Sequence, residues 1–453
     1  MSQTNIQTEN KMGVMPVGKL LLNMSLPVML SMLAQALYNV VDSLYVARVS
    51  ENALAAVSLA FPVQNLMIAI AVGTGVGVSA LLSRSLGERN LAEVNSAANN
   101  GVFLAIISSV VFMVLGALFS RTFFTMQTDI AEIVDGGVDY LSIVTIGSLA
   151  LFVQILMERL LQATGRSMYS MVSQIAGALT NIVLDPVFIF GWAGMPRMGV
   201  AGAALATVIG QAVGALLGIY FNLRHNPDIR LSLKRFKPNG ATIRRIYSVG
   251  LPSMVMQSIS SVMMFGMNRI LLAFSSTAAT VFGVYYKLQS FVFMPVFGLN
   301  NGMVPIIAYS QGARLKERMI RTIKLSVLFA MVIMLLGILV CQLFPETLMR
   351  MFDASEDMMA IGVRALRVIS LHFVFAGYCI VVGSVFQALG NGVLSLINSI
   401  TRQLVVLLPV AYVLSIIGGL DAVWWAFPIA EIASAILSSI FLRKVYVKEI
   451  KPL

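Results

Sequence analysis

The sequence predicts an all-α polytopic membrane protein with twelve spanning helices in two pseudo-symmetric six-helix lobes and both termini cytoplasmic. Three observations predict it. The 453 residues are 58% hydrophobic and 11% charged, with mean hydropathy +0.87. Soluble domains carry about 25% charged residues, and a single water-soluble core does not grow enough to hide this much apolar surface. The chain also divides into apolar stretches long enough to cross a bilayer. Finally, its two halves repeat one another at an offset of 225 residues.

The apolar runs place spans at about 20–45, 53–83, 94–119, 138–163, 168–191, 199–222, 243–274, 279–311, 319–344, 360–389, 393–417 and 421–443. A transmembrane barrel is excluded, because it needs short alternating segments and none are present. Leu20–Leu33 followed by Ala34-Gln35-Ala36 resembles a secretory leader and its cleavage site. The apolar run continues past that point, however, and has a counterpart in the second half. It therefore reads as a retained first span.

Lys and Arg set the orientation. With cytoplasmic termini, 21 of the 31 fall on the inner side and only Arg48, Arg121, Arg197 and Arg350 on the outer. The outer loops are acidic instead, with Asp129, Glu132 and Asp135 in one and Asp353, Glu356 and Asp357 in another. The net charge of +11 is thus an orientation signal rather than a nucleic-acid footprint. Residues 223–247 are basic and contain Pro227 and Pro238. They read as a solvated cytoplasmic linker between an N-terminal lobe, 1–222, and a C-terminal lobe, 248–453.

The repeat aligns Ser25-Leu26-Pro27 with Gly250-Leu251-Pro252. It also aligns Gly73, Gly77, Gly87 and Arg89 with Gly298, Gly302, Gly312 and Arg314, and Gln162-Ala163-Thr164-Gly165 with Gln387-Ala388-Leu389-Gly390. Two parallel six-helix repeats point to a secondary transporter whose pathway runs between the halves.

Charges inside a bilayer are costly, so each marks a functional candidate. The carboxylates inside the spans are Asp42, Glu158, Asp185 and Glu431. Gln35, Tyr38, Asn39 and Asp42 follow one another at helical spacing and are expected on one face of the first span. Asn181 and Asp185 are four residues apart on the fifth. Pro186 removes the donor to the Ile182 carbonyl, freeing an acceptor beside them. A carboxylate, an amide and a free carbonyl suit a proton or a small cation such as Na⁺ at Asp42, Asn181 and Asp185. The competing structural reading makes each Asp a helix-end or ion-pair residue. Glu158 lies beside Arg159, but adjacent helical residues do not face each other. Glu431 aligns with Gln211 when Gly419 is matched to Gly199. Six cations fall within spans: Arg159, Arg269, Lys287, Arg364, Arg367 and Arg402.

Gly210, Gly214 and Gly218 repeat every four residues and read as a close-packing face. The 28 methionines are adaptable apolar filler, of which a minority can line a cavity for varied apolar cations. Cys341 and Cys379 sit in apolar runs, which argues against a disulfide framework. Two histidines argue against a His-based metal centre. Walker A, G-x-S-x-G and H-E-x-x-H patterns are absent, so neither an enzyme nor a resident cofactor is expected.

The sequence resembles the MATE (multidrug and toxic compound extrusion) family. The resemblance rests on Leu26-Pro27, Asp42, Gly73 to Gly87 with Glu88-Arg89, Gln162 to Arg166, Asn181 to Pro186, and the run Gly199 to Thr207. It covers almost the whole chain and is greatest to the DinF branch, particularly its MepA type of bacterial exporter. The resemblance implies a monomeric MATE-type fold in the plasma (inner) membrane. It implies antiport of amphipathic, often cationic drug-like molecules against H⁺, or less readily Na⁺. By motif match the coupling and substrate site is Asp42, Asn181 and Asp185, with Gln35 lining the same cavity, Thr207 a looser match, and Pro27 tied to bending of the first helix. The NorM branch carries acids in its seventh and tenth helices. Here Leu251–Phe274 and Ile361–Leu389 contain none, which favours a proton site in the N-terminal lobe. Two rival readings are a lipid-linked oligosaccharide flippase, which would use the intraspan cations, and a membrane aspartyl protease. The latter lacks its expected Gly-x-Gly-Asp context.

Overall fold

The computed structural model describes residues 10–232, 236–352 and 354–453. Lys234 and Arg235 of the basic linker, and Asp353 of the second acidic loop, lie outside the described residues. Within them the chain is helical, with no strand.

Ten unbroken helices and two bent pairs make twelve spans. They are α1 Val17–Ala47, α2 Glu51–Gly87, α3 Leu91–Thr125, α4 Ala131–Ile146 with Ser148–Ala163, α5 Ser167–Phe190 and α6 Val200–Arg224. The second half gives α7 Gly240–Leu272, α8 Ser276–Gly312, α9 Lys316–Leu343, α10 Glu356–Ser370 with Phe373–Ala388, α11 Gly392–Ile417 and α12 Gly419–Ile450. α4 and α10, at equivalent places in the two halves, bend by 47° and 48°. The expected start at residue 138 understated α4, because its first turns carry Glu132 and Asp135 and fall outside the apolar run.

The sequence repeat recurs in the backbone. Ser50 and Ser275 cap α2 and α8 alike, each hydroxyl accepting from the N–H three residues on at 3.0 Å. Past these helices Arg89 and Arg314 adopt left-handed φ of 57° and 56°, a strained state for residues with a Cβ. Gly165 and Gly390 end the inner turns of α4 and α10 at φ 84°, where glycine is strain-free.

Between the lobes α2 packs on α7 and α8, and α1 packs on α8. The approach is backbone to backbone at the repeated glycines. A Cβ on Gly77, Gly87 or Gly312 would collide with the carbonyl oxygen of Ile246, Tyr309 or Arg84 in the opposite lobe. One on Gly298 or Gly302 would stand 2.7 or 2.8 Å from the Cα of Met29 or Ser25. All these contacts lie in the cytoplasmic halves of the helices. On the outer halves Leu37, Leu44, Phe61, Val262 and Phe265 are exposed. The lobes are therefore closed on one another at the cytoplasmic side.

The linker is more ordered than a solvated loop. Asn95 and Asn99 of α3 accept from the backbone of Arg230 and Ser232, and Asn100 accepts from that of Asn239. Asp228 pairs with Arg166 and accepts from Asn10. These α3 amides were read as part of an apolar span, which hid their role.

Candidate functional site

The site forms where α1, α5 and α6 meet inside the first lobe. α5 and α6 touch at Gly177 and Gly210, where a Cβ on either would stand 2.7 Å from the other's carbonyl oxygen. Small residues at a helix crossing permit such an approach. One turn further along α5, Asn181 is thereby brought against Thr207 of α6. With its carbonyl toward Thr207, the Asn181 amide accepts from the Thr207 N–H at 3.1 Å and its NH₂ donates to Asp185 Oδ2 at 3.3 Å. Gly214 and Gly218, the rest of the small-residue face, make room for Gln154 and Met157 of α4.

Asp185 is fully buried and Asn181 nearly so. Asp42, five residues before the outer end of α1, lies within electrostatic reach of Asp185 where α1 packs on α5. Two carboxylates brought near one another in a low dielectric repel unless one of them is protonated. Oδ1 of each acid is buried and makes no hydrogen bond. The pair thus has unused acceptors facing a low-dielectric interior, where an unpartnered polar atom is expensive.

The other residues expected on α1 divide. Tyr38 stands within electrostatic reach of both acids. Gln35 accepts from Gln174 Nε2 at 2.9 Å, tying α1 to α5 beside the pair. Asn39 is exposed and makes no side-chain hydrogen bond to the acids. Positions 35, 38, 39 and 42 span about 100° of helix, and Asn39 lies at the outward edge of that arc. Pro27 and Pro186 are buried inside continuous helices. Gln64 and Tyr140 complete the surroundings and escaped sequence reasoning. Gln64 Nε2 donates to the Tyr140 hydroxyl at 2.9 Å, and Tyr140 lies within electrostatic reach of both acids. Their one available signal was a polar group inside an apolar run, which acids show more plainly than a tyrosine.

The remaining intraspan charges are placed elsewhere. Glu158 accepts from Gln154 at 3.0 Å. Arg402 Nη1 donates to Glu431 Oε1 at 3.2 Å within the second lobe. Arg364 pairs with Asp421 at 2.8 Å, both exposed near the outer surface, and Arg269 stands in the last turn of α7. Arg159 reaches across the lobe boundary to Asn301 at 2.8 Å.

The MatE family model matches this chain twice, over residues 27–187 and 252–413. The chain belongs to the MATE family. The two matched segments begin 225 residues apart, the offset of the internal repeat. Among curated relatives it is 26% identical to the multidrug export protein MepA of Staphylococcus haemolyticus over 93% of this chain and 92% of that one. It is 24% identical to MepA of Staphylococcus aureus over 94% of each. Among solved structures it is similar to a multidrug resistance MATE transporter of the MOP superfamily in an outward-facing conformation. That match has TM-score 0.91 and 26% identity, covering 98% of this chain and 99% of that one. A MOP superfamily transporter of Pyrococcus furiosus, described as having a binding pocket of reverse polarity, gives TM-score 0.89 at 26% identity over 98% and 99%. The MATE fold thus spans nearly the whole of this chain.

Proposed function

We propose that this MATE protein exports amphipathic, cationic drug-like molecules from the cytoplasm in exchange for H⁺, with Asp42 and Asp185 as the exchange site. The carrying observation is that these two intramembrane carboxyls lie within electrostatic reach of each other, each with a buried, unbonded Oδ1. Both charged, they repel in low dielectric, and one proton relieves that repulsion. Deprotonated, they attract a cation; protonated, they release it. Asn181 and Thr207 orient the Asp185 side of the pair, and Tyr38 and Tyr140 supply hydroxyls at its edge.

Alternating access would follow from rocking the two lobes, 1–222 and 248–453, about the cavity between them. The 223–247 linker would travel with the first lobe, to which α3 stitches it. A proton entering down a 100 mV potential adds about 2.3 kcal/mol of driving force. The flippase reading needs several free cations in the cavity. Arg402 is taken by Glu431, Arg364 by Asp421 and Arg159 by Asn301, which leaves that reading Arg269, Lys287 and Arg367.

The test uses purified protein in liposomes loaded with ethidium, under separately imposed H⁺ and Na⁺ gradients. Efflux driven by the pH gradient and lost in Asp42→Asn and Asp185→Asn supports the proposal. Unchanged pH-driven efflux in both variants sinks it, and efflux driven by Na⁺ alone reassigns the ion.

A further inference from the structure

A small polar cavity of about 30 Å³ lies between the lobes. Its lining is built from the repeat. Val76, Ser79 and Arg159 come from the first lobe; Asn301, Val304 and Ser384 stand 225 positions later in the second. Gln162, bonded to Arg159, and Gln387, which lines the cavity, form a fourth such pair. The cavity therefore sits on the pseudo-twofold axis relating the lobes.

Its chemistry breaks that symmetry. Arg159 projects across α2 over Gly75, where a Cβ would stand 2.7 Å from its Cγ. Its Nη1 donates to Asn301 Oδ1 in the opposite lobe at 2.8 Å and to Gln162 Oε1 in its own lobe at 3.2 Å. The nearest carboxylate in sequence, Glu158, is engaged by Gln154. At the position equivalent to Gly75 stands Asn300, 4% exposed, with neither amide atom hydrogen-bonded. Asn301 also donates weakly to Met32 Sδ of the first lobe at 3.9 Å.

We infer that Arg159 and Asn301 are positioning residues for transport: a polar latch on the axis that holds the cytoplasmic gate shut. Below this level glycine backbone shapes the seam, and polar side chains bond across it: Ser25 donates to the Leu299 carbonyl at 3.2 Å, and Arg318 to the carbonyls of Met12 and Met15 at 2.7 and 2.6 Å. The latch adds a charge-assisted hydrogen bond that exists only while the lobes touch. When the lobes part, Asn301 leaves with α8 and the guanidinium keeps Gln162 in its own lobe. Opening therefore costs one bond rather than stranding a buried charge. It also uncovers Arg159 on the path a molecule takes from the cytoplasm. The inference rests on the alternating-access reading, but its test does not depend on which ion or drug is carried.

Spin labels at Leu91→Cys and Glu317→Cys, both on exposed inner ends, report the cytoplasmic opening by pulsed electron resonance. Asn301→Asp turns the latch into an ion pair. The population closed to the cytoplasm should then rise by on the order of tenfold, the factor one charge-assisted bond is worth, with drug efflux slowed to match. Asn301→Ala should move the distribution the other way. Misfolding cannot give opposite shifts, so the two variants control for each other. Distributions unchanged in both, or shifted in the same direction, overturn the latch. Either result leaves the proton-exchange proposal standing, because the label distances require no transport.

Discussion

The two lobes share a backbone and differ in chemistry at their centres. In the first, α1, α5 and α6 gather Asp42, Asn181, Asp185 and Thr207. In the second, the positions 225 residues on from Asp42, Asn181 and Asp185 are Met267, Val406 and Val410. The second lobe's buried charges, Arg402 and Glu431, face each other instead. Arg402 stands where α11 widens into a π-helical turn over Thr401–Leu407, a form of local irregularity that α5 lacks. A carboxyl pair with unused oxygens can take and give a proton. A salt-bridged carboxylate already has its partner. Duplication supplied one frame, and the frame alone does not decide which half exchanges ions.

Substitutions can break or sharpen that contrast. The largest effect is expected for Asp185→Asn, which should bring pH-driven ethidium efflux in liposomes to background while the protein still purifies as a folded species. Glu431→Gln should act on stability instead. Stripping Arg402 of its partner is expected to cost about 3 kcal/mol, read as a lower melting temperature in detergent, with pH-driven efflux per folded molecule retained. If Glu431→Gln abolished pH coupling and Asp185→Asn did not, the roles of the lobes would be reversed. Gly312→Leu tests what the halves share. Its side chain would meet the Arg84 carbonyl, and overpacking of this kind costs about 2 kcal/mol. The expected readout is greater cytoplasmic opening between the spin labels described above. Thr207→Val should be the mildest, keeping the backbone N–H bond to Asn181 but removing the hydroxyl 3.3 Å from its amide, a loss of about 1 kcal/mol. It should slow efflux several-fold without changing the coupling ion.

Most of the architecture was legible because bilayers impose simple rules. Span length, loop charge and the 225-residue repeat each follow from one constraint. Asp42, Asn181, Asp185 and Thr207 were legible because acids and amides in apolar runs stand out and match a known motif. Tyr140 and Gln64 were not, since a hydroxyl or amide in a span is common and their pairing depends on how α2 meets α4. Asn39 is exposed at the edge of the expected face, since helical spacing defines a face but not its limits. The pairing of Arg402 with Glu431 bridges 29 positions and depends on the packing of α11 on α12. The interlobe use of Arg159 was hidden more deeply, since its partner lies 142 residues away in the other repeat.

The glycine seam has a consequence for how the machine is balanced. Its glycine surfaces are main chain resting on main chain, and a small set of hydrogen bonds ties the lobes across it, among them Ser25 to the Leu299 carbonyl, Ser96 to Thr242 and Arg318 to the Met12 and Met15 carbonyls. Such a hinge face behaves as a smooth bearing: it defines where the lobes stop without dictating how long they stay. Two states separated by so little can be tipped by a modest bias. A ligand or ion that binds one arrangement only modestly better than the other would then be enough to tip it, and a seam of interlocking side chains would demand more.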